Sequence, residues 1–306
     1  MTQATQVQPR VRARVTSRRL REWALFLLLV GPNVVLLLAF VYRPLLTNVY
    51  YSTLDWTLGA TRATSVGLGN YIEFFTSGDA AEILRTTGIF TVATVGGTLA
   101  LGLALATVLN RPLAGRGVAR ATVFAPYVLS GVGLGLVWSF ILDPVSGVLS
   151  ALLRQGSLPV PQWFLDPNLS LLMVILVYIW KNVGYAAVIY LAALQAIPRD
   201  LIEAAAIDGA DRGTTFREVV WPLLSPTSFF LLMTTILSSL QAFDLIRIMT
   251  PLGQGTTTLM YATYLQAFGG YNRAGYSAAI ATILFVLLLI VTAFQLWYLD
   301  RKVHYA

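Results

Sequence analysis

Apolar residues run along this chain in long unbroken blocks, and polar residues gather between the blocks rather than alternating within them. Six blocks stand out: Trp23–Tyr42, Thr86–Leu109, Thr122–Leu142, Leu169–Leu194, Pro222–Ile248 and Tyr276–Leu299. A helix rises about 1.5 Å per residue, so about 20 residues cross the ~30 Å hydrocarbon layer of a bilayer. A lone apolar segment in lipid must satisfy its backbone hydrogen bonds internally, which makes each block a helix. The pattern predicts an all-α, polytopic membrane protein with six transmembrane helices over 23–299, a basic tail over 1–22 and a short tail over 300–306. Gly96, Gly97 and Gly102 in the second block, and Gly131, Gly133 and Gly135 in the third, are small residues of the kind that let helices approach closely.

Composition agrees with that solvent. The chain is 57% hydrophobic and 11% charged, with a mean hydropathy of +0.70, against about 25% charge in a soluble domain. The first block is long enough to be a span and lacks a small-residue cleavage site, so it is not read as a removable leader. There is no cysteine, which excludes disulfides, thiolate metal sites and a thiol nucleophile, and the one histidine is His304. A net charge of +7 could signal nucleic acid. Its placement points instead to membrane orientation, and no nucleic-acid partner is expected. Arg10, Arg12, Arg14, Arg18, Arg19 and Arg21 precede the first block. Arg111, Arg116 and Arg120 lie in the second connection, Arg199, Arg212 and Arg217 in the fourth, and Arg301 and Lys302 at the end. The opposite side holds Arg43, Arg62, Arg85, Arg154 and Arg273. By the positive-inside rule both termini and the 195–221 connection face the cytoplasm. The basic tail then sets topology and touches anionic lipid, or holds a partner.

Catalytic constellations are missing. There is no G-x-x-x-x-G-K-[ST] phosphate loop and no metal-binding histidine pair, and neither Ser130 nor Ser146 sits in a nucleophile elbow. The chain is therefore not read as an enzyme, and uphill transport would draw on an ion gradient or another subunit. Polar residues inside the spans mark a candidate pathway: Lys181, Asn182 and Tyr185 in the fourth, and Gln241, Asp244 and Arg247 late in the fifth. Charges at membrane depth are rare and face a cavity or a partner charge. Asp244 and Arg247 are spaced i, i+3 on one helix face, with Gln241 three residues earlier. They make either a structural ion pair or a pathway-facing group in which Arg247 meets an anion. Lys181 has the further option of snorkelling or bracing the bundle. On the outer side, the long Arg43–Arg85 loop carries "TLDWTLG" and "VGLGNYIEFF", including Trp56. Its middle is a candidate docking surface through Asn70, Tyr71, Phe74 and Phe75, and aromatics near the span ends form an interfacial belt.

The most polar interruption in the C-terminal half is "IPRDLIEAAAIDGADRGTTFREVVWPLLSP". Pro198 can open a helix, with Asp200 and Glu203 in its early turns where the dipole favours carboxylates. Ala204 to Ala206 continue it, Gly209 breaks it, and Phe216 to Val220 fit a second helix leading into Pro222. Two short helices hinged at a glycine make an elbow whose alanines fit under another protein's groove, with Glu203 as a charged handle.

"EAAAIDGADRGTTFREVVWP" resembles the EAA loop of permease subunits in ATP-binding-cassette importers: Glu-Ala-Ala, Asp-Gly-Ala, then a Phe and a closing Pro. "LAALQAIPRDLIEAA", "LQAFDLIRIMTPLGQGTTTLMYATYLQAF" and "VGLGNYIEFF" are similar to the carbohydrate-uptake (maltose/glycerol-3-phosphate) branch. The likeness extends from Trp23 to Leu299. Within the branch it is greatest to the A-type permeases of glycerol-3-phosphate and glycerophosphodiester importers, especially mycobacterial-like members associated with glycerophosphocholine. Trp221 stands where the family more often has Leu, and "TPLGQGTTT" replaces a Gly-Gly-Pro turn.

The resemblance implies a type I importer permease in a bacterial cytoplasmic membrane. Its implied partners are a homologous second permease, two copies of an ATPase subunit and an extracytoplasmic substrate-binding (lipo)protein. ATP and Mg2+ would be bound by the ATPase subunits, with no cofactor in this chain. Glu203, Ala204, Ala205, Asp208, Gly209, Ala210, Phe216 and Pro222 would form the coupling contact. An oligosaccharide importer of the same family is the alternative cargo class. An ion-coupled carrier using Asp244 and Lys181 is the alternative mechanism, although the paired repeats usual for such carriers are not evident. A pure scaffold or channel subunit would leave the elbow unexplained.

Overall fold

The computed structural model describes residues 12–111 and 115–299. The extreme tails, with His304, Arg301 and Lys302, lie outside the described residues. The first apolar block is helical from α1 (Arg12–Leu37) through one π-helical turn (Leu38–Tyr42) into α2 (Arg43–Tyr51). The span therefore runs past the expected end at Tyr42. Arg43 and Pro44 fall at the first positions of α2, where a missing proline N–H costs little. None of its most apolar window is buried within the chain. It is tied on mainly at its far end, where Asn48 Nδ2 donates to the Ala278 carbonyl at 3.2 Å and to Thr282 Oγ1 at 3.1 Å.

The outer loop is correspondingly shorter than Arg43–Arg85. It consists of an antiparallel two-stranded ribbon, β1 (Leu54–Asp55) and β2 (Thr64–Ser65), followed by α3 (Gly69–Thr76). α4 (Asp79–Leu109) starts seven residues ahead of the expected Thr86. Asp79 and Glu82 occupy its first turn and complement the positive end of the helix dipole.

The third block departs most from expectation. It forms α5 (Arg116–Val128) and α6 (Gly131–Ile141), bent by 99° at Leu129–Ser130, instead of one straight helix over Thr122–Leu142. Pro126 cannot donate its backbone N–H, and Leu129 and Ser130 are both extended (ψ 148° and 133°), so the hydrogen-bond ladder stops there. α7 (Val148–Gln155) leads to α8 (Pro167–Ala196). Asp166 caps α8 by accepting from the amides of Asn168 (2.8 Å) and Leu169 (3.2 Å), with Pro167 at the first helical position.

The 195–221 connection contains α9 (Arg199–Ile207), α10 (Arg212–Thr215), a π-helical turn (Phe216–Val220) and α11 (Trp221–Leu223). Pro198 is the cap of α9, not its first residue. The fifth block also breaks: α12 (Ser225–Leu240) is separated from α13 (Asp244–Met249) by non-helical Gln241–Phe243. α14 (Leu259–Phe268) and α15 (Ala274–Phe294), which continues in a π turn to Leu299, complete the fold. Among the described residues five helices are long and apolar enough to cross a membrane, and six crossings result when the bent α5–α6 pair counts as one.

Glycines set the closest helix approaches. A β-carbon on Gly102 of α4 would lie 2.6 Å from that of Ala186 on α8, and one on Gly184 would lie 2.1 Å from the Val123 carbonyl oxygen of α5. α6 meets α13 the same way: β-carbons on Gly131 and Gly135 would fall 2.9 Å from Asp244 and Ile248. Phe90, Val174, Ile246 and Tyr261 pack into one core between α4, α8, α13 and α14. Because lipid is as apolar as the core, this tight packing replaces the hydrophobic drive of a soluble protein. Replacing Gly184 with Ala is therefore expected to lower the thermal unfolding midpoint of the purified transporter, at a cost of about 1–3 kcal/mol. Gly88→Ala, where nothing lies within 4 Å, should be neutral or stabilising by up to about 1 kcal/mol. Equal midpoints for both variants would contradict the α5–α8 contact.

Candidate functional site

Lys181 and Asn182 of α8 and Gln241 and Asp244 around the α12–α13 break line one cavity of about 280 Å³. Gly131, Tyr178 and Phe243 complete its walls. Two broken helix ends shape it. The break after Val128 leaves the last carbonyls of α5 without helical partners, and Lys181 Nζ donates to the Tyr127 carbonyl at 3.2 Å while lying 5.4 Å from the Tyr127 ring. A cation there also complements the negative end of the α5 dipole. Asp244 begins α13, where a carboxylate complements the positive end. Its side chain is exposed to the cavity.

Below this cavity lies a smaller one of about 70 Å³, which shares Tyr178 and Asn182 with it. Thr94, Thr98, Tyr127, Tyr185, Thr234 and Ser238 are among its lining residues. Tyr185 stacks on Tyr127 with ring centroids 4.9 Å apart and planes 19° from parallel. Asn182 Nδ2 donates to the Tyr178 carbonyl of its own helix at 2.8 Å. Thr94 and Ser239 hydroxyls meet at 2.8 Å, joining α4 to α12. Together the two cavities form a polar column through an otherwise apolar bundle.

The structure separates Arg247 from this group. Gln241, Asp244 and Arg247 do not share one continuous helix face, because the helix breaks between Gln241 and Asp244. No Asp244–Arg247 ion pair forms among the described residues. The Arg247 guanidinium instead lies 4.6 Å from the Tyr264 ring centre and 5.8 Å from that of Phe243, a cation–π arrangement. The cavity-lining groups that spacing alone did not single out are Tyr127, Tyr178 and the hydroxyl residues. The four-residue intervals Thr94/Thr98 and Tyr178/Asn182, each placing two polar groups on one helix face, carry the signal that finds them.

The elbow stands out from the bundle. Glu203, Ala204, Asp208 and Gly209 are exposed, while Ala205, Ala210, Phe216 and Pro222 are half-buried at its base. Gly209 ends α9 at φ +82°. Its amide donates to the Ala206 carbonyl at 3.1 Å and the Ala210 amide to the Ala205 carbonyl at 2.9 Å, the paired bonds of a Schellman cap. Asp211 then caps α10 through the Thr214 amide at 2.8 Å, and the Thr214 contacts hold its carboxyl below the usual aspartate range. At the apex, Ile207 is 87% exposed. It is a feature that the polar character of the stretch conceals: an isoleucine presented to solvent between two hydrophilic turns.

Of the proposed outer docking residues, two point inward. Asn70 is buried and donates to the Ser52 and Leu54 carbonyls at 2.8 and 2.9 Å, and Phe74 is fully buried. Residues i and i+4 of α3 lie on the same inner face. Phe75 is exposed, and the Tyr71 hydroxyl bonds Ser52 at 2.5 Å. α3 is fixed to the start of α15 by a two-pronged pair, Glu73 to Arg273 at 2.7 and 2.6 Å, with Arg273 4.3 Å from the Tyr276 ring centre.

A profile of the family described as "Binding-protein-dependent transport system inner membrane component" matches residues 97–305. The chain is 35% identical over 283 residues to the sn-glycerol-3-phosphate transport system permease protein UgpA of Agrobacterium fabrum, covering 91% of this chain and 95% of that one. The fold is similar to a bacterial ABC transporter involved in the import of the acidic polysaccharide alginate, with a TM-score of 0.81, 22% identity and coverage of 94% and 99%. It is also similar to a bacterial alginate ABC transporter in complex with an alginate pentasaccharide-bound periplasmic protein, at a TM-score of 0.79, 22% identity and coverage of 92% and 96%.

Two outcomes follow from the geometry. In a double-mutant cycle of Asp244→Asn and Arg247→Gln read by thermal unfolding, the coupling energy is expected to stay below about 0.5 kcal/mol, because the groups are not paired. A coupling above about 1 kcal/mol would restore the ion pair. Hydrogen bonding from Arg273 lowers the Glu73 pKa from 4.5. A depressed carboxylate contributes stability above its unfolded pKa and loses it as pH falls through the folded value. Acidification below about pH 4.5 should therefore loosen the α3–α15 contact, with faster hydrogen exchange in α3, by less than about 1 kcal/mol because the pair is partly exposed. Glu73→Gln should remove that acid-sensitive component; an unchanged pH profile would argue against it.

Proposed function

The chain belongs to the family of binding-protein-dependent transport system inner membrane components, and from that premise we propose that it forms half of a translocation path for glycerol 3-phosphate or a glycerophosphodiester such as glycerophosphocholine. The substrate named for the Agrobacterium relative supports this cargo. So does the cavity: Lys181 offers a cation to a phosphate, while Asn182, Gln241, Asp244 and the hydroxyl column offer partners to glycerol hydroxyls. A sugar would use the amides and hydroxyls equally well; Lys181 adds a cation for a phosphate, beside the Asp244 carboxylate in the same wall.

The observation that carries the mechanism is the exposed elbow with its rigid glycine cap. Glu203, Ala204, Ala205, Asp208, Gly209 and Ala210 present a small-residue helix end that fits a groove on an ATPase subunit, with Phe216 and Pro222 anchoring it to α12. Two ATPase subunits, which bind ATP and Mg2+, would drive it, and a homologous second permease would supply the other half of the path. A substrate-binding lipoprotein would deliver cargo on the outer side, with exposed Phe75 and half-buried Tyr71 as the accessible part of its docking surface. In this arrangement both termini and the elbow face the cytoplasm of a bacterial cell. The arginine distribution and six crossings, counting the bent pair as one, support that orientation.

In proteoliposomes containing the whole importer, Gly209→Trp or Glu203→Lys is expected to leave substrate capture by the binding protein intact. Uptake per ATP hydrolysed should fall by about tenfold or more, the loss of a contact worth about 1.4 kcal/mol or more. Lys181→Met should reduce transport of glycerol 3-phosphate more than that of a neutral polyol. Full coupling in the Gly209→Trp variant would remove the elbow from the mechanism. Uptake that survives without ATP hydrolysis but collapses with the proton gradient would favour an ion-coupled carrier.

A further inference from the structure

A second polar cavity, of about 490 Å³, lies apart from the translocation column, where α4 and α8 end and α5 and α9 begin. Three arginines line it: Arg116 and Arg120 from α5, and Arg199 from the first turn of α9. Among the described residues no carboxylate lines it, and none of the three arginines forms an ion pair, Asp200 and Glu203 of α9 included. Arg120 is committed at one end only, with Nη2 donating to the Leu109 carbonyl at 3.3 Å, while its Nε is shielded from solvent and has no hydrogen-bond partner. Three guanidinium groups with no carboxylate beside them among the described residues leave the cavity with positive charge to offer an anion.

The position identifies the acceptor. Leu109 and Ala196 end two apolar helices of about 30 residues, so the cavity opens at the boundary between hydrocarbon and water. Leu194, Ile197 and Ile202 form its apolar side. We propose that this cavity binds the phosphate headgroup of an anionic membrane lipid, with the arginines on the phosphate and the acyl chains along the apolar side. Basic pockets between helix ends are the general setting for such recognition. A free phosphate would leave the apolar side unused. An acidic protein surface would meet the exposed Arg116 and Arg199 but would bring no acyl chains to the apolar side formed by Leu194, Ile197 and Ile202.

The test is native mass spectrometry of the intact importer, titrated with dioleoylphosphatidylglycerol and, as a neutral control, dioleoylphosphatidylcholine. The variant is Arg116→Gln with Arg199→Gln, two exposed positions, so Arg120 keeps its hold on Leu109. Phosphatidylglycerol affinity is expected to fall at least about tenfold in the double glutamine variant. It should recover substantially with Lys at both positions, while phosphatidylcholine stays weak throughout. Equal binding of the two lipids, or no change in the glutamine variant, would overturn the proposal. Displacement of phosphatidylglycerol by millimolar inorganic phosphate would also overturn it and make the cavity a soluble-anion site. Loss of the ATPase subunit from the glutamine variant, read in the same spectrum, would overturn it in favour of a protein contact.

Discussion

Every feature of the polar column depends on how backbone groups are satisfied where helices break inside the bundle. An unbonded carbonyl in hydrocarbon costs several kcal/mol, so a break survives only where protein or a water-lined cavity meets it. The chain breaks twice, after Val128 and after Leu240, and brings the two breaks together. Gly131 and Gly135 let α6 close on α13, while Lys181 reaches across to the Tyr127 carbonyl. The polar residues around these breaks leave a cavity with a cation and a carboxylate in its wall. The cavity thus lies where the fold resolves its own backbone problem, with Lys181 on the freed Tyr127 carbonyl and Asp244 at the start of α13.

The same chain of contacts links cavity and elbow. α12 begins just beyond Pro222 and the fully buried Leu224 and ends at the Gln241 break. Its 16 residues span about 24 Å, so under the proposed coupling a push on the elbow would arrive at the cavity along one helix. The Schellman cap at Gly209 and the Asp211 cap fix the local geometry of the elbow. A hydrogen bond at Ser239–Thr94 joins α12 to α4, which packs closely on α8 at Gly102.

The sequence revealed the membrane, the helical blocks and the elbow because each rests on strong local chemistry: unbroken apolarity, arginine flanks, and a Glu-Ala-Ala run ending at glycine. It hid the breaks: Pro126 and the glycines of the third block are compatible with a continuous span when neighbouring helices satisfy the backbone, and Gln241–Phe243 in the fifth carries no breaker at all. Spacing put Asp244 and Arg247 on one helix face, as it does on α13, but could not show that the aromatic rings of Phe243 and Tyr264 take the guanidinium instead of the carboxylate. Asn70 and Phe74 looked like surface because they lie in an extramembrane loop, yet their four-residue spacing puts both on the inner face of α3. The basic cavity was invisible for a different reason: Arg116, Arg120 and Arg199 come from two connections far apart in sequence and read there only as topology signals.

The central claim is that the elbow is the point where an ATPase subunit transmits force. Because the chain has no cysteine, Ala204→Cys provides its sole thiol for attachment of a photo-activatable cross-linker. Val92→Cys, on an exposed face of α4, serves as the membrane-facing control. In the assembled importer, Ala204→Cys is predicted to cross-link to the ATPase subunit, with a yield that changes when ATP binds, while Val92→Cys does not. No ATPase adduct from Ala204→Cys, or one no stronger than from Val92→Cys, would contradict the account.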